Sequence, residues 1–162
     1  MIRYLLPLFL LFPLVVNAGE DIQFYAVGDT IQPITLQDQH DKTHTVNGTT
    51  KLILFTTGME GGKVVRKAIE NEEPDYLAKR SAMFISNISG MPRFIAKMFA
   101  LPKMKKHEYS IVLDREGDVT KKIPSQDNST TIVQLDNLKI KSISFTKETE
   151  EVTRAINQLS IN

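Results

Sequence analysis

Thr56-Thr57-Gly58-Met59-Glu60-Gly61-Gly62-Lys63 is the stretch whose residue types and spacing come nearest to a reactive corner. It follows Leu52-Ile53-Leu54-Phe55, an all-apolar run that reads as a strand buried on both faces of a sheet. Lys63 to Glu70 reads as the helix behind it, with Val64, Val65, Ala68 and Ile69 on one face. Free backbone N–H groups and the helix dipole favour an anion or a nucleophile at such a helix start. The corner itself holds no cysteine, serine or histidine. Gly58, Gly61 and Gly62 beside Lys63 suggest a phosphate cradle. The spacing argues against a P-loop, because Thr57 stands where its first glycine belongs and Val64 replaces its Ser/Thr. Glycines that permit a tight turn are the simpler reading.

Asp38, His40, Asp41 and His44 could group oxygen and imidazole ligands around a metal. Their spacing is loose, and Gln37 to Lys42 reads as the polar turn of a hairpin between Ile34-Thr35-Leu36 and Thr43 to Val46. A solvated turn without metal is the expectation. No G-x-G-x-x-G occurs, so nothing in the spacing supports a dinucleotide or flavin site.

Charge is segregated. Between Tyr76 and His107 there is no acidic residue, while Lys79, Arg80, Arg93, Lys97, Lys103, Lys105 and Lys106 all fall inside. Met91, Phe94, Ile95, Met98 and Phe99 recur at helical spacing, predicting an amphipathic helix that Pro102 closes. Such a helix ordinarily buries its apolar stripe against a sheet and leaves Arg93 and Lys97 as a solvated rim. The alternative is a helix that lies on an anionic membrane surface or docks an acidic partner.

The elements around these residues alternate. Ile22 to Asp29 is a lead-in, Ser81 to Ile88 a strand, and Tyr109 to Leu113 another, stopped by the turn Asp114 to Asp118. Val119 to Ile123 reads as a short edge piece. Thr130 to Leu135 and Lys141 to Phe145 form a hairpin across residues 136–139. Thr146 is positioned to cap a last helix, with Glu148, Glu150 and Glu151 in its first turn and Val152, Ile156 and Leu159 as its buried stripe.

Residues 1–18 read as a secretory signal: Arg3, an apolar core from Leu5 to Val16, and a small-residue cleavage site at Val16-Asn17-Ala18. The core is shorter than the roughly 20 residues that span a bilayer, and Pro7 and Pro13 interrupt it. Export to the periplasm with cleavage, leaving residues 19–162 as one domain, is the expectation. Cleavage removes only Arg3 from 20 basic residues, which then balance 19 acidic ones, so no global field draws the chain to nucleic acid. Cysteine is absent, which excludes disulfides, thiol catalysis and zinc–cysteine sites.

The order of elements resembles a thioredoxin-like domain with a peroxiredoxin-type N-terminal β extension: α/β, with a central mixed sheet flanked by helices. Val27-Gly28-Asp29 through Ile34-Thr35-Leu36-Gln37-Asp38-Gln39-His40-Asp41-Lys42 resembles the opening of the alkyl-hydroperoxide-reductase and thiol-disulfide-interchange (AhpC/TlpA-type) class. Tyr109 to Gly117 and Thr131 to Asp136 resemble two later strands of that class. Ile88 to Pro92 and Phe99 to Met104 are similar to a cysteine-free periplasmic branch, the YtfJ-like group. The resemblance places Met59, or Glu60 and Lys63, where redox members carry cysteines, and Asn128-Ser129 where they carry a cis-proline. A thioether forms no thiolate, so no thiol redox cycle carries over.

The resemblance therefore implies an exported, non-catalytic protein that binds a periplasmic partner. Its contact residues would be Gly58, Met59, Glu60, Gly61, Gly62 and Lys63 at the corner and Arg93, Lys97, Lys103, Lys105 and Lys106 on the basic segment. The expectation includes no cofactor. The alternative is an enzyme with a borrowed flavin, suggested by a flavin-dehydrogenase label among relatives.

Overall fold

The computed structural model describes residues 22–161, and the expected signal segment, residues 1–18, lies outside them. β1 (Ile34–Asp38), β2 (Thr43–Val46), β3 (Leu52–Thr56), β4 (Ala82–Asn87), β5 (Val112–Asp114), β6 (Thr130–Asp136) and β7 (Lys139–Thr146) form one sheet in the order β2-β1-β5-β4-β3-β6-β7. β3, β4 and β5 run parallel, and the outer strands pair antiparallel with their neighbours. The helices are α1 (Met59–Ile69), α2 (Tyr76–Lys79), α3 (Arg93–Ile95), α4 (Leu101–Met104) and α5 (Thr149–Asn157), with a π-helical turn over Ala96–Ala100 joining α3 to α4.

β3 is buried at every position, as its apolar run predicts. Successive side chains alternate across the sheet. Leu52 and Leu54 therefore pack with Val65 and Ile69 of α1 and with Val152 and Ile156 of α5. Ile53 and Phe55 face the other way, among Ile85, Val133, Ile140, Ile123 and Ile31, which precedes β1. Leu159 is partly buried against the first of these clusters.

Several boundaries differ from the sequence reading. The first helix begins at Met59 rather than Lys63, which places Gly61 and Gly62 inside it. Gly61 is required there because the helix presses closely on the Ser129 backbone, far along the chain. The strand expected over Tyr109 to Leu113 begins at Val112. The fully buried Gln39 side chain supplies the missing pairing: its amide donates to the Tyr109 carbonyl at 2.7 Å and accepts from the Ile111 N–H at 2.7 Å. Val119 to Ile123 is a turn and not an edge strand, since Asp114 at the end of β5 holds it. Its carboxylate accepts from the N–H groups of Gly117 and Thr120, each at 2.8 Å, and from the Thr120 hydroxyl at 2.7 Å.

The last hairpin is tighter than expected. Asn137 and Leu138 both adopt positive φ, 47° and 66°, and the strands close on a two-residue turn whose twist suits a hairpin. Thr146 ends β7, and its hydroxyl accepts from the Glu148 N–H at 3.0 Å. It fixes the approach to α5 instead of capping the helix, which starts at Thr149.

Candidate binding site

The C-terminal ends of β3 and β4 deliver the chain to a cavity of about 380 Å³ behind the corner. Thr57, Gly58, Met59 and Gly62 of the corner, Ser86, Asn87 and Gly90 at and after the end of β4, and Met91, Ile95 and Met104 line it. Gly58 precedes α1 in extended backbone, φ −150° and ψ 171°, and no side chain caps the helix. The N–H groups of the first turn thus have no intrahelical acceptor. Among the described residues, Arg66 is the one cation lining this cavity.

The corner residues divide by role. Gly61 is buried beneath the loop before β6: a Cβ there would lie 2.7 Å from the Ser129 carbonyl carbon and nearer still to its oxygen. The Gly61 carbonyl accepts from the Thr130 hydroxyl at 2.9 Å. Asn128 makes this approach with φ 59°, in the segment where the resemblance would put a cis-proline. Glu60 and Lys63 form an exposed ion pair and line a separate hollow with Asn128 and Lys147. They do not face the corner cavity. Gly62 keeps open space towards it, with the flexible Arg66 guanidinium the nearest group to an added Cβ, at 3.2 Å.

A second cavity, about 510 Å³, lies between the basic segment and the turn after β5. Ile88, Met91, Ala96, Leu101 and Pro102 make its apolar floor; Arg93, Lys97, Lys105 and Arg115 edge it with Asp41 and Glu116. Arg93 pairs with Glu116 at 2.6 Å, Arg115 with Asp41 at 3.0 Å, and Lys105 lies 3.9 Å from Asp41. Lys103 and Lys106 line neither this cavity nor the corner cavity.

The amphipathic helix is corrected in two respects. Pro102 does not close it: the widened turn at Ala96–Ala100 precedes the proline, which falls in the first turn of α4, where its missing N–H is tolerated. The stripe is not buried either. Phe94, Ile95, Met98 and Phe99 are 65%, 39%, 55% and 62% exposed, while Ala96, Leu101 and Met104 pack on the core instead. Periodicity marks an apolar face without saying what covers it.

The Asp38, His40, Asp41 and His44 set does not converge. Among the described residues no three acidic or histidine side chains gather as a metal site. The turn is solvated at His40, Asp41 and Lys42, as expected, but it is anchored on a buried carboxylate, Asp38, only 1% exposed. Burial alone would raise the Asp38 pKa, but hydrogen bonds outweigh it and hold the pKa below the ordinary carboxylate value. They come from His44 at 2.8 Å, the N–H groups of His40 and Lys42 at 2.8 and 3.0 Å, and the Ser110 hydroxyl at 3.1 Å. His40 turns instead to the His107 carbonyl, at 3.2 Å. Burial, with help from Arg66 and Lys103, lowers the His107 pKa.

The sequence missed Met91, Met104 and Arg66 as cavity residues. The last two lie on helix faces whose register toward the corner depends on packing. Arg115 and Glu116 were visible only as turn charges, and Asp41 only as a turn residue and candidate metal ligand.

No family model matches the chain, and no curated protein matches it. Solved structures do. A candidate protein disulfide isomerase from Bacteroides thetaiotaomicron superposes with a TM-score of 0.54 at 20% identity, over 82% of this chain and 87% of that one. A peroxiredoxin-like protein from Aquifex aeolicus gives 0.53 at 13% identity, over 85% and 89%. The peroxidoxin BcpB from Mycobacterium tuberculosis gives 0.52 at 13% identity, over 83% and 97%. The fold is thioredoxin-like. With no cysteine, the chain has no group to perform the thiol redox chemistry of such proteins.

Proposed function

We propose that this chain is an exported thioredoxin-fold binding protein that receives an extended segment of a protein partner in the corner cavity. One observation carries the reading: the corner retains an open, largely apolar cavity of about 380 Å³ although the chain has no thiol to react there. Met59, Met91 and Met104 supply flexible, polarizable walls that adapt to varied apolar side chains. The uncapped N–H groups after Gly58 supply donors for backbone carbonyls of a bound strand. Export follows from the signal pattern in residues 1–18.

Amide chemical-shift mapping with a pool of extended apolar peptides tests the proposal. Saturable shifts are expected at Thr57 to Gly62, Met91 and Met104, and Met59→Glu should weaken binding by roughly ten-fold or more, since it places a charge beside buried apolar contacts. The proposal fails if no peptide binds below about millimolar concentration, the weak end of useful affinities, or if the shifts map elsewhere.

A further inference from the structure

We propose that the outward face of the Arg93–Met104 helical segment docks on an anionic phospholipid membrane. This goes beyond the corner reading and does not depend on it. The segment carries apolar residues on opposite sides. Ala96, Leu101 and Met104 pack on the protein core, whereas Phe94, Met98 and Phe99 face water, each more than half exposed. Phe94 and Phe99 meet edge to face with ring centroids 6.4 Å apart, forming a single ridge.

The shape of this ridge selects the occupant. Phe94, Met98 and Phe99 line neither the corner cavity nor the cation-edged cavity that flank the segment. They stand out between two hollows. A convex ridge needs a matching concavity on a rigid protein, but a fluid lipid interface closes around each side chain without one.

Charge agrees with shape. The segment contains no acidic residue, and Lys97, Lys103 and Lys106 have no ion-pair partner among the described residues. Arg93 and Lys105 add two further cations to the segment, although Glu116 and Asp41 partly offset them. Long lysine stems allow the ammonium groups to reach phosphates while the aromatic rings enter the acyl boundary. The complementary surface is one of anionic phospholipid headgroups.

The test is cosedimentation of the full chain, isolated from its own host, with vesicles of mixed phosphatidylglycerol and phosphatidylcholine or of phosphatidylcholine alone. Binding is expected only to the anionic vesicles at low salt, with release at about 0.5 M NaCl, where screening is short-ranged. Phe94→Ser with Phe99→Ser should reduce partitioning by at least about ten-fold, from the apolar area no longer buried. At about five-fold per cation near an anionic surface, neutralising Lys97, Lys103 and Lys106 to Ala should reduce it about a hundred-fold. Met59→Glu, at the corner, should leave it unchanged. These positions are exposed, so folded circular-dichroism spectra are expected for every variant. Equal binding to both vesicle types, absence of binding at low salt, or unchanged binding by the Phe and Lys variants would overturn the proposal. The last result would assign vesicle binding to another part of the chain.

Discussion

Gly61→Ala is the substitution that most directly tests how the corner is held. The new methyl would sit 2.7 Å from the Ser129 carbonyl carbon and 3.3 Å from the Thr130 nitrogen. Both are backbone atoms and cannot rotate away. Ordinary carbon contacts lie near 3.5–4 Å, so α1 or the loop must retreat by about 1 Å. Overpacking of this kind costs about 1–3 kcal/mol. The retreat also stretches the buried bond from the Thr130 hydroxyl to the Gly61 carbonyl, at a further cost of about 1–3 kcal/mol. Replacing a helical glycine by alanine returns about 1 kcal/mol. The net expectation is a destabilisation of about 3 kcal/mol. Two neighbouring glycines serve as controls. An added Cβ at Gly58 meets nothing within 4 Å, and its extended φ of −150° suits any residue, so Gly58→Ala should stay within about 0.5 kcal/mol. At Gly62 the nearest groups are the far end of the Arg66 side chain, at 3.2 Å, and the Thr56 hydroxyl, at 4.0 Å, so Gly62→Ala should be neutral or stabilising by up to about 1 kcal/mol. Urea denaturation of the three variants, read by far-ultraviolet circular dichroism, gives the comparison. If Gly61→Ala lies within about 0.5 kcal/mol of the parent, the helix does not depend on that contact and the account of the corner is wrong.

Acid should also report on the first hairpin. The Asp38 pKa is lowered in the folded chain, so the unfolded chain binds its proton first as pH falls. Its contribution is therefore full above the ordinary carboxylate pKa of about 3.9 and is lost as pH falls through the lower folded value. Denaturant midpoints of the parent should decline across that window, whereas those of Asp38→Asn should start lower and vary less with pH. Parallel curves would rule out Asp38 as the titrating group. Protein isolated from its own host should show no visible flavin absorbance, and added flavin should not comigrate in gel filtration. A coloured or flavin-loaded protein would return the enzyme reading in place of the binding one.

What the sequence determined by itself was local. Leu52 to Phe55 is apolar throughout, and so short a run bounded by glycines fits a strand covered on both faces. The missing cysteine likewise excludes thiol chemistry whatever the fold, because no arrangement of the chain can supply the absent thiolate. The order of strands and helices followed from alternating periodicities, and with it the α/β class. Tertiary structure decided what depended on distant neighbours. The first helix begins at Met59 because Gly61 admits the Ser129 backbone, which lies far along the chain. β5 starts late because Gln39, on another loop, bonds the residues before it. The apolar stripe from Phe94 to Phe99 was legible as a stripe, yet its outward orientation was not. Periodicity records which residues share a helix face, while the rotation of that face toward core or solvent is set by the packing of Ala96, Leu101 and Met104 on the core.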